Sequence, residues 1–482
     1  MDVGSAEIEL KFLCEPSDLE AVLAAAPDGE TVRKDLVSTY FDTPQEDLRA
    51  KRISLRIRES GGKRVQTLKR GDGFAREEYE KVLDGEELDL AMTALSEALS
   101  PSKRKTLRPA FTVRVRRRQR TFHYEGAVIE IAADEGEVEA QGRKRRISEL
   151  ELELKGGDCA PMFELARRLS RTAPLYLSFE GKSSQGQALR EGREAEARRH
   201  DRTPLPAEGT AGEAFAVVAR NTLSQIAANG ALIREAPNPD AIHQLRVAAR
   251  RLRSALSTFK PLLARDEMRG RLRDELKWLA GALDEARDLD VLVGVDGGEA
   301  SELGRAAEPA RRRAYAKAAA AAASGRFREL LLEATAWVET GDWRSTNAAE
   351  KPARAFAAKA LDRRLKALSK RGRRLARQDD AGRHEARIAA KKLRYAAEAF
   401  APLFGAEASA AYVKRLKRLQ EALGAANDAA VAREVVQRLD LKGPARAAAE
   451  AALAERAFVK AEAVEAAEAA MDRLLETAPF WR

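Results

Sequence analysis

Residues 6–12 read AEIELKF, and their alternation sets Glu7, Glu9 and Lys11 on one side of a strand with Ile8, Leu10 and Phe12 on the other. Two carboxylates and an ammonium that face outward are simply hydrated. Facing inward, they need a partner carrying both signs of charge, and a metal ion on a polyanion is such a partner. Which way this strand faces decides the fold.

Working outward, period-two patterning continues through ISLRIRES (53–60), RVQTLKR (64–70), REEYEKVL (76–83), FTVRVRRRQRTF (111–122), AVIEIAADEGE (127–137) and ISELELELK (147–155). Gly61-Gly62, Gly71-Asp72-Gly73 and Gly156-Gly157 mark turns. Helices are expected near 16–26, where PSDLE supplies a start signal, and near 161–172. Charges recur at alternate positions: Arg56 with Arg58, Lys69 with Thr67, and Arg76 with Glu78 and Glu80. So do Arg114 with Arg116, Arg118 and Arg120, Glu130 with Asp134, and Glu149 with Glu151 and Glu153.

If the apolar faces pack against external helices, these charges point into a curled antiparallel sheet. Those faces are Ile8, Leu10 and Phe12; Ile53, Leu55 and Ile57; Val113 and Val115; Ile129 and Ile131; and Leu150, Leu152 and Leu154. An empty interior of that kind is unstable, because isolated buried charges are expensive. A wet interior works, with basic strands holding phosphate and acidic strands holding Mg²⁺ or Mn²⁺. The plainer reading, a two-layer sheet with a hydrated outer face, stays open on patterning alone.

The whole chain has 482 residues, enough for two or three domains, and a net charge of +10 that points to anionic partners. Cys14 and Cys159 make neither a disulfide framework nor a metal spacing. With no secretory start and no apolar run of membrane-spanning length, a soluble cytoplasmic protein is expected. Residues 191–210 are polar and proline-bearing, a linker between residues 1–190 and 211–482. Beyond it the period becomes helical, with long amphipathic segments at 241–260, 267–287, 352–377, 383–401 and 407–424. HQLRVAARRLR (243–253) recurs as HEARIAAKKLRY (384–395), and LDEARDLDV (283–291) is answered by LGAANDAAV (423–431). Such duplication implies paired helical units about a pseudo-twofold axis. His243, Arg246, Arg250 and Arg253 form one basic stripe, and His384, Arg387, Lys391 and Arg394 the other. A solvated surface is the bland alternative.

Glu7-Ile8-Glu9-Leu10-Lys11 is similar to the ExExK motif of the CYTH domain, the triphosphate tunnel metalloenzyme fold. The likeness continues through Arg56, Arg58, Lys69, Arg76, the arginine strand, Asp134, the ELELEL strand and Lys182. It implies an eight-stranded antiparallel tunnel acting on triphosphates with a divalent metal. By that resemblance Glu7, Glu9 and Glu151, with Glu149 or Glu153, ligate metal. Lys11, Arg56, Arg58, Lys69, Arg116, Arg118 and Lys182 grip phosphates, with Arg117 as the alternative register. Glu7, Glu9, Lys11 and Glu151 are the catalytic set. Gln185 stands where the family pattern has a basic residue.

The second half resembles the CHAD domain through its twice-present HxLRVxxRRLR and RDLDV elements, although Ala386 and ANDAAV depart from them in the second copy. That resemblance implies two four-helix halves and binding of inorganic polyphosphate, with Lys414, Lys417 and Arg418 extending the basic surface. Nucleic acid is the disfavoured partner, since aromatic residues for base stacking are few near the stripes. The expected architecture is therefore α+β in two domains: an eight-stranded tunnel with flanking helices, then a duplicated four-helix bundle. The expected function is metal-dependent hydrolysis of inorganic triphosphate by a protein that also binds polyphosphate, with localisation extending to polyphosphate granules. Alternatives are a non-enzymatic polyphosphate-binding protein, or a tunnel enzyme for thiamine triphosphate or ATP. Oligomeric state is not legible in the sequence.

Overall fold

The structure, a computed structural model, describes residues 5–71, 74–192, 196–200, 204–264, 266–295, 298–439 and 441–482. Part of the Gly71-Asp72-Gly73 turn and parts of the 191–210 segment lie outside the described residues, as do the side chains of 426–431. The chain divides into two compact units, Met1–Glu196 with Arg328–Ala336, and Ala197–Phe327 with Trp337–Arg482.

In the first unit, β1 (Ser5–Leu13), β2 (Val32–Asp42), β3 (Ile53–Ser60), β4 (Lys63–Arg70) and β5 (Ala75–Leu83) precede three long strands. These are β6 (Arg108–Tyr124), β7 (Ala127–Ala140) and β8 (Arg143–Gly156), and a short β9 (Tyr176–Ser178) follows. The hydrogen-bonded order is β5-β4-β3-β2-β6-β7-β8-β1-β9, and β5 also pairs with β1. Eight antiparallel strands thus close a barrel. β1 shares one edge between two partners, β5 over Ser5–Ile8 and β9 over Lys11–Leu13. Closure leaves the barrel strands without a free edge. Three two-residue hairpins serve the meander: Gly61-Gly62, Glu125-Gly126 and Gln141-Gly142 all have positive φ at both positions. That backbone twist matches the flanking strands, which is why glycine recurs there.

Helices cover the outside: α1 (Pro16–Ala25), α2 (Asp47–Ala50), α3 (Thr93–Ala98), α4 (Pro101–Arg104) and α5 (Ala160–Leu169). Leu19, Val22 and Leu23 of α1 are buried, as are Met162, Phe163, Leu165, Ala166 and Leu169 of α5, and both helices pack on β7. Leu55 and Leu68 are covered by Leu48, Met92, Leu95 and Leu99. The hydrocarbon is therefore outside the wall and the charge inside it, and the hydrated two-layer alternative does not hold. A sixth helix, α6 (Lys182–Arg190), packs on β6, β7 and β8.

One expectation for the wall is corrected. Val113 and Val115 pair with Val138 and Gly136 on the inner face and do not face the outer helices. With Leu36, Tyr40, Phe111, Val138, Ala140, Ile147 and Leu189 of α6 they make an apolar cluster within the barrel. Gly186 of α6 lies flush on the Phe111 ring, where a Cβ would come within 2.2 Å of it. The patterning did not anticipate β2, β9 or a helix over 182–190, although the positions of Lys182 and Gln185 in that helix belong to the family pattern.

The second unit holds α7 (Ala211–Glu235), α8 (Pro239–Thr258), α9 (Glu267–Val295), α10 (Glu302–Ala323) and α11 (Gly325–Thr340), whose Arg328–Ala336 stretch groups with the first unit. α12 (Ala353–Arg371), α13 (Asp380–Phe400), α14 (Ala406–Arg438) and α15 (Gly443–Leu475) complete it. Sequential neighbours pack within α7–α10 and within α12–α15. Each helix also packs on its counterpart: α7 on α12, α8 on α13, α9 on α14 and α10 on α15. This is the pseudo-twofold pairing that the repeat implies. Its centre is aromatic, because Phe259 stacks on Phe356 and meets Phe215 and Phe400, with centroids 5.2–5.4 Å apart. Phe215 and Phe259 occupy the same repeat positions as Phe356 and Phe400. The 191–210 segment is not a free tether where it is described. Asn229 brackets Arg198 with two backbone hydrogen bonds of 3.0 Å, Leu205 is buried, and Thr210 forms a capping box with Glu213.

Candidate functional site

Ladder register carries the inner face around the barrel. Lys11 lies opposite Glu151, Glu9 opposite Glu153 and Glu7 opposite Arg76. Asp134 pairs across to Glu149 on one side and Arg117 on the other. Lys69 faces Glu78, and Arg58 and Arg56 face Ser38 and Tyr40. Paired residues in a sheet share a face, so all of these converge on one interior.

Lys182, delivered by the first turn of α6, reaches Asp134 Oδ2 at 2.8 Å, Glu149 Oε2 at 2.8 Å and Glu151 Oε1 at 2.7 Å. Arg117 donates Nε and Nη2 to the two Asp134 oxygens at 2.7 Å and Nη2 to Glu151 at 2.5 Å. Lys11 Nζ sits 3.0 Å from Glu151 and 3.5 Å from Glu9. Lys69 donates to Glu7 at 2.6 Å and lies 3.1 Å from Glu78, while Arg76 pairs with Glu9 and lies 3.4 Å from Glu7. Gln185 donates to Glu149 at 2.5 Å, so the residue that departs from the family pattern still serves the cluster. Asp134 and Glu149 are fully buried. Burial alone raises a carboxyl, but Lys182 with Lys11 and Arg117 holds Glu151 well below its ordinary value, and Lys182 with Arg117 lowers Asp134.

Arg56 and Arg58 are different. Among the described residues these two inward arginines have no carboxylate partner; Arg56 reaches only the Tyr40 hydroxyl and Arg58 only Ser38, each at 3.4 Å. Arg56 is buried and its Nε has no acceptor. Burial, then the neighbouring Arg56 and Arg117, pulls Arg58 down to about 10. Arg56 and Arg58 are thus inward guanidiniums held only by hydroxyl groups, the kind of cation pair an anion would compensate.

Two expected phosphate ligands are misplaced by the sequence reading. Arg116 is exposed, and Arg118 points outward to Glu20 and Glu135. Arg114 and Arg120 share that outer face, pairing with Glu139 and with Thr31 and Pro27. β6 turns Phe111, Val113, Val115, Arg117 and Gln119 inward because its valines serve the apolar cluster. Arg117 is therefore the inward arginine. Glu153 belongs to the inner row but sits toward the rim, paired with Lys155 at 2.6 Å.

In the helical unit, Arg246 is held by Asp284 of α9 at 2.7 Å, and Arg250 has a buried Nε with no acceptor. Burial first, then Arg287, Arg250 and Arg246, pushes His243 down to about 4. His384 is exposed on α13, with Arg387 and Lys391 half-buried behind it. Arg394 leaves the expected stripe, pairing with Glu398 at 2.6 Å and Gln420 at 2.7 Å. Arg253 lies toward Lys392. Lys414, Lys417 and Arg418 are exposed on α14. Among the described residues no helix is long and apolar enough to cross a membrane.

Comparison with known proteins follows the same division. The CYTH domain model matches residues 5–185 and the CHAD domain model residues 217–437. The inorganic triphosphatase of Haemophilus influenzae is 29% identical over 194 residues, 38% of this chain and 54% of that relative, so the match spans about half the relative's length. The crystal structure of the CHAD domain from Ricinus communis is 31% identical, with a TM-score of 0.52, over 57% of this chain and 96% of that one. PptA from Streptomyces chartreusis is 22% identical, with a TM-score of 0.41, over 55% of this chain and all of that one.

The CYTH family implies a divalent metal. Glu7 Oε2 and Glu9 Oε1 are buried with no hydrogen-bond partner, and they are the hard oxygen donors that such an ion takes. Among the described residues no three His, Cys, Asp or Glu side chains are arranged to cage a metal by themselves. Glu7 and Glu9 would therefore supply part of the donor set of a hard divalent ion. The barrel and the paired helical halves together identify the chain as a CYTH domain followed by a CHAD domain.

Proposed function

We propose that the barrel hydrolyses inorganic triphosphate and that residues 211–482 bind inorganic polyphosphate. The observation that carries the first part is the pair Arg56 and Arg58, enclosed, cationic and without a carboxylate among the described residues. Arginine forks match phosphate oxygens, and an anion removes the cost of leaving them unpaired. Lys11, Lys69, Arg76, Arg117 and Lys182 surround the remaining phosphates, exchanging carboxylate partners for phosphate oxygens as the chain enters. Glu7 and Glu9, with Glu151 and Glu149 nearby, would hold a divalent ion, Mg²⁺ or Mn²⁺, which when bound would supply charge neutralisation on the phosphate oxygens. Glu151 is a poor proton acceptor because its neighbours stabilise the carboxylate, so it orients cations and water. A loose phosphoryl transition state needs little more than such positioning.

The helical reading rests on His243, Arg246, Arg250 and Arg253, and on His384, Arg387, Lys391 and Arg394, with Asp284 and Glu398 already claiming part of each set. The test is orthophosphate release from triphosphate by the full chain with Mg²⁺ or Mn²⁺. Arg58→Gln and Glu9→Gln should each cost about 10²–10³-fold, the usual consequence of removing a charge-stabilising contact. Rates equal to the unaltered protein in both variants would reject the barrel as the reaction site.

A further inference from the structure

The segment that leads into α7 borders a cleft between α7, α8 and α13. Asn229 of α7, fully buried, accepts from the Arg198 N–H and donates to its carbonyl, and Gln225 Nε2 lies 3.4 Å from His200 Nδ1. Held in this way, the segment contributes His200 and Leu205 to one side of the cleft. The remaining walls are largely hydrocarbon: Val217 and Val218 of α7, Ala255 and Phe259 of α8, and Ala399 and Phe400 of α13.

Several polar groups beside the cleft are already engaged. Thr222 Oγ1 donates to the Val218 carbonyl at 2.7 Å, and Thr258 Oγ1 to the Ser254 carbonyl at 2.8 Å. Glu398 accepts from Arg251 Nη2 at 2.5 Å and from Arg394 Nη1 at 2.6 Å, and the Tyr395 ring lies 4.9 and 4.8 Å from the same two guanidinium groups. Two groups on α8 are left over. Among the described residues the Ser254 hydroxyl and Arg251 Nε are buried without a hydrogen-bond partner, and Ser254 as a whole is 7% exposed. Three residues apart, they are neighbours on the helix surface. A buried donor left unmade is expensive, and two of them beside one apolar cleft call for an acceptor.

We propose that this cleft binds a small uncharged carbonyl compound with an apolar body, whose oxygen accepts from Ser254 Oγ and Arg251 Nε. Both groups are donors, so the ligand supplies the acceptor. The aliphatic and aromatic walls take the rest of the molecule. A negative charge is unwelcome, because Arg251 already has the Glu398 carboxylate, which repels a second one. The cleft is therefore separate in chemistry from the phosphate readings above, and the proposal does not rest on them.

Benzamide is the probe, with benzoate as its charged counterpart, in saturation-transfer NMR titrations of the full chain. Benzamide should saturate one site, and benzoate should bind more weakly. Ser254→Ala should weaken benzamide by about fivefold, as the loss of one neutral hydrogen bond implies. Ala399→Leu, at a half-buried position, fills the cleft and should abolish binding. Long-chain polyphosphate should leave the benzamide affinity unchanged. Absence of saturable benzamide binding overturns the proposal, as does equal affinity in Ser254→Ala or full binding by a folded Ala399→Leu protein. Benzoate binding as tightly as benzamide, or displacement of benzamide by polyphosphate, overturns it too, because either result assigns the cleft to the basic surface. Should Ala399→Leu fail to fold, Ser254→Ala and benzoate decide alone.

Discussion

Lys182 in the barrel has three carboxylates within 2.8 Å, whereas Lys392 in the helical unit makes no ion pair among the described residues. Both chain regions concentrate cations, yet enclosure makes different demands on them. Inside a closed wall each charge needs compensation, so the barrel interleaves acidic and basic strands, and among the described residues Arg56 and Arg58 are left with hydroxyl partners alone. On the helical unit water does much of that work, and cations can stand in a ridge with partial compensation. The barrel therefore stakes its stability on its site, and the helical unit does not.

The comparison is broken most directly through its two lysines. Lys182→Met removes the cation shared by Asp134, Glu149 and Glu151, leaving them to Arg117, Lys11 and Gln185, and should destabilise the barrel by about 3–5 kcal/mol. Lys392→Met should stay within about 0.5 kcal/mol, as ordinary surface changes do. Urea denaturation of both proteins measures this, and equal losses would show that enclosure is not the governing difference. A second contrast lies within one strand. Arg117→Ala should lower triphosphate turnover by about a hundredfold or more. Arg116→Ala, on the outer face, should change it by no more than about twofold. The reverse ranking would mean that the register of β6 is wrong.

A smaller effect probes how α6 seats Lys182. In Gly186→Ala the new methyl meets the Phe111 ring at 2.2 Å, and thermal melts should show a loss of about 1–3 kcal/mol from overpacking. No loss would mean that α6 is not seated against Phe111. The smallest effect belongs to the helical ridge. His243 has a folded-state value of about 4, below its ordinary 6.5, so the neutral ring is the favoured form. Its contribution to stability is complete above pH 6.5 and is lost as pH falls toward 4. Imidazole NMR should find the midpoint near 4 and moved upward by polyphosphate; a midpoint near 6.5 that polyphosphate leaves alone would remove His243 from the binding ridge.

Much of this architecture is legible in particular residues. Glu7, Glu9 and Lys11 share one face as the alternation with Ile8, Leu10 and Phe12 requires, the resemblance implied that this face is the inner one, and α8 and α13 fall on the duplicated histidine segments. Register was harder to read. RVRRRQR offers arginine in both phases, and Val113 and Val115 resemble outward wall residues until α6 is seen against the inner face. α6 itself begins at Gly181-Lys182 without a capping side chain, and nothing local says that its lysine will lie among carboxylates from β7 and β8. Arg394 looks equivalent to its ridge neighbours in sequence, but Glu398 one turn away claims it.

Alternating charge and hydrocarbon along each strand, and the repeated helices, were enough to establish which surfaces are polar and that the second half is duplicated, because both are periodicities of the local backbone. Which arginine of β6 enters the cavity, which cations keep an acid, and where α6 delivers Lys182 were settled only by tertiary packing. Those outcomes depend on strand register and on side chains far apart in the chain, and electrostatic energy is set by distance in space.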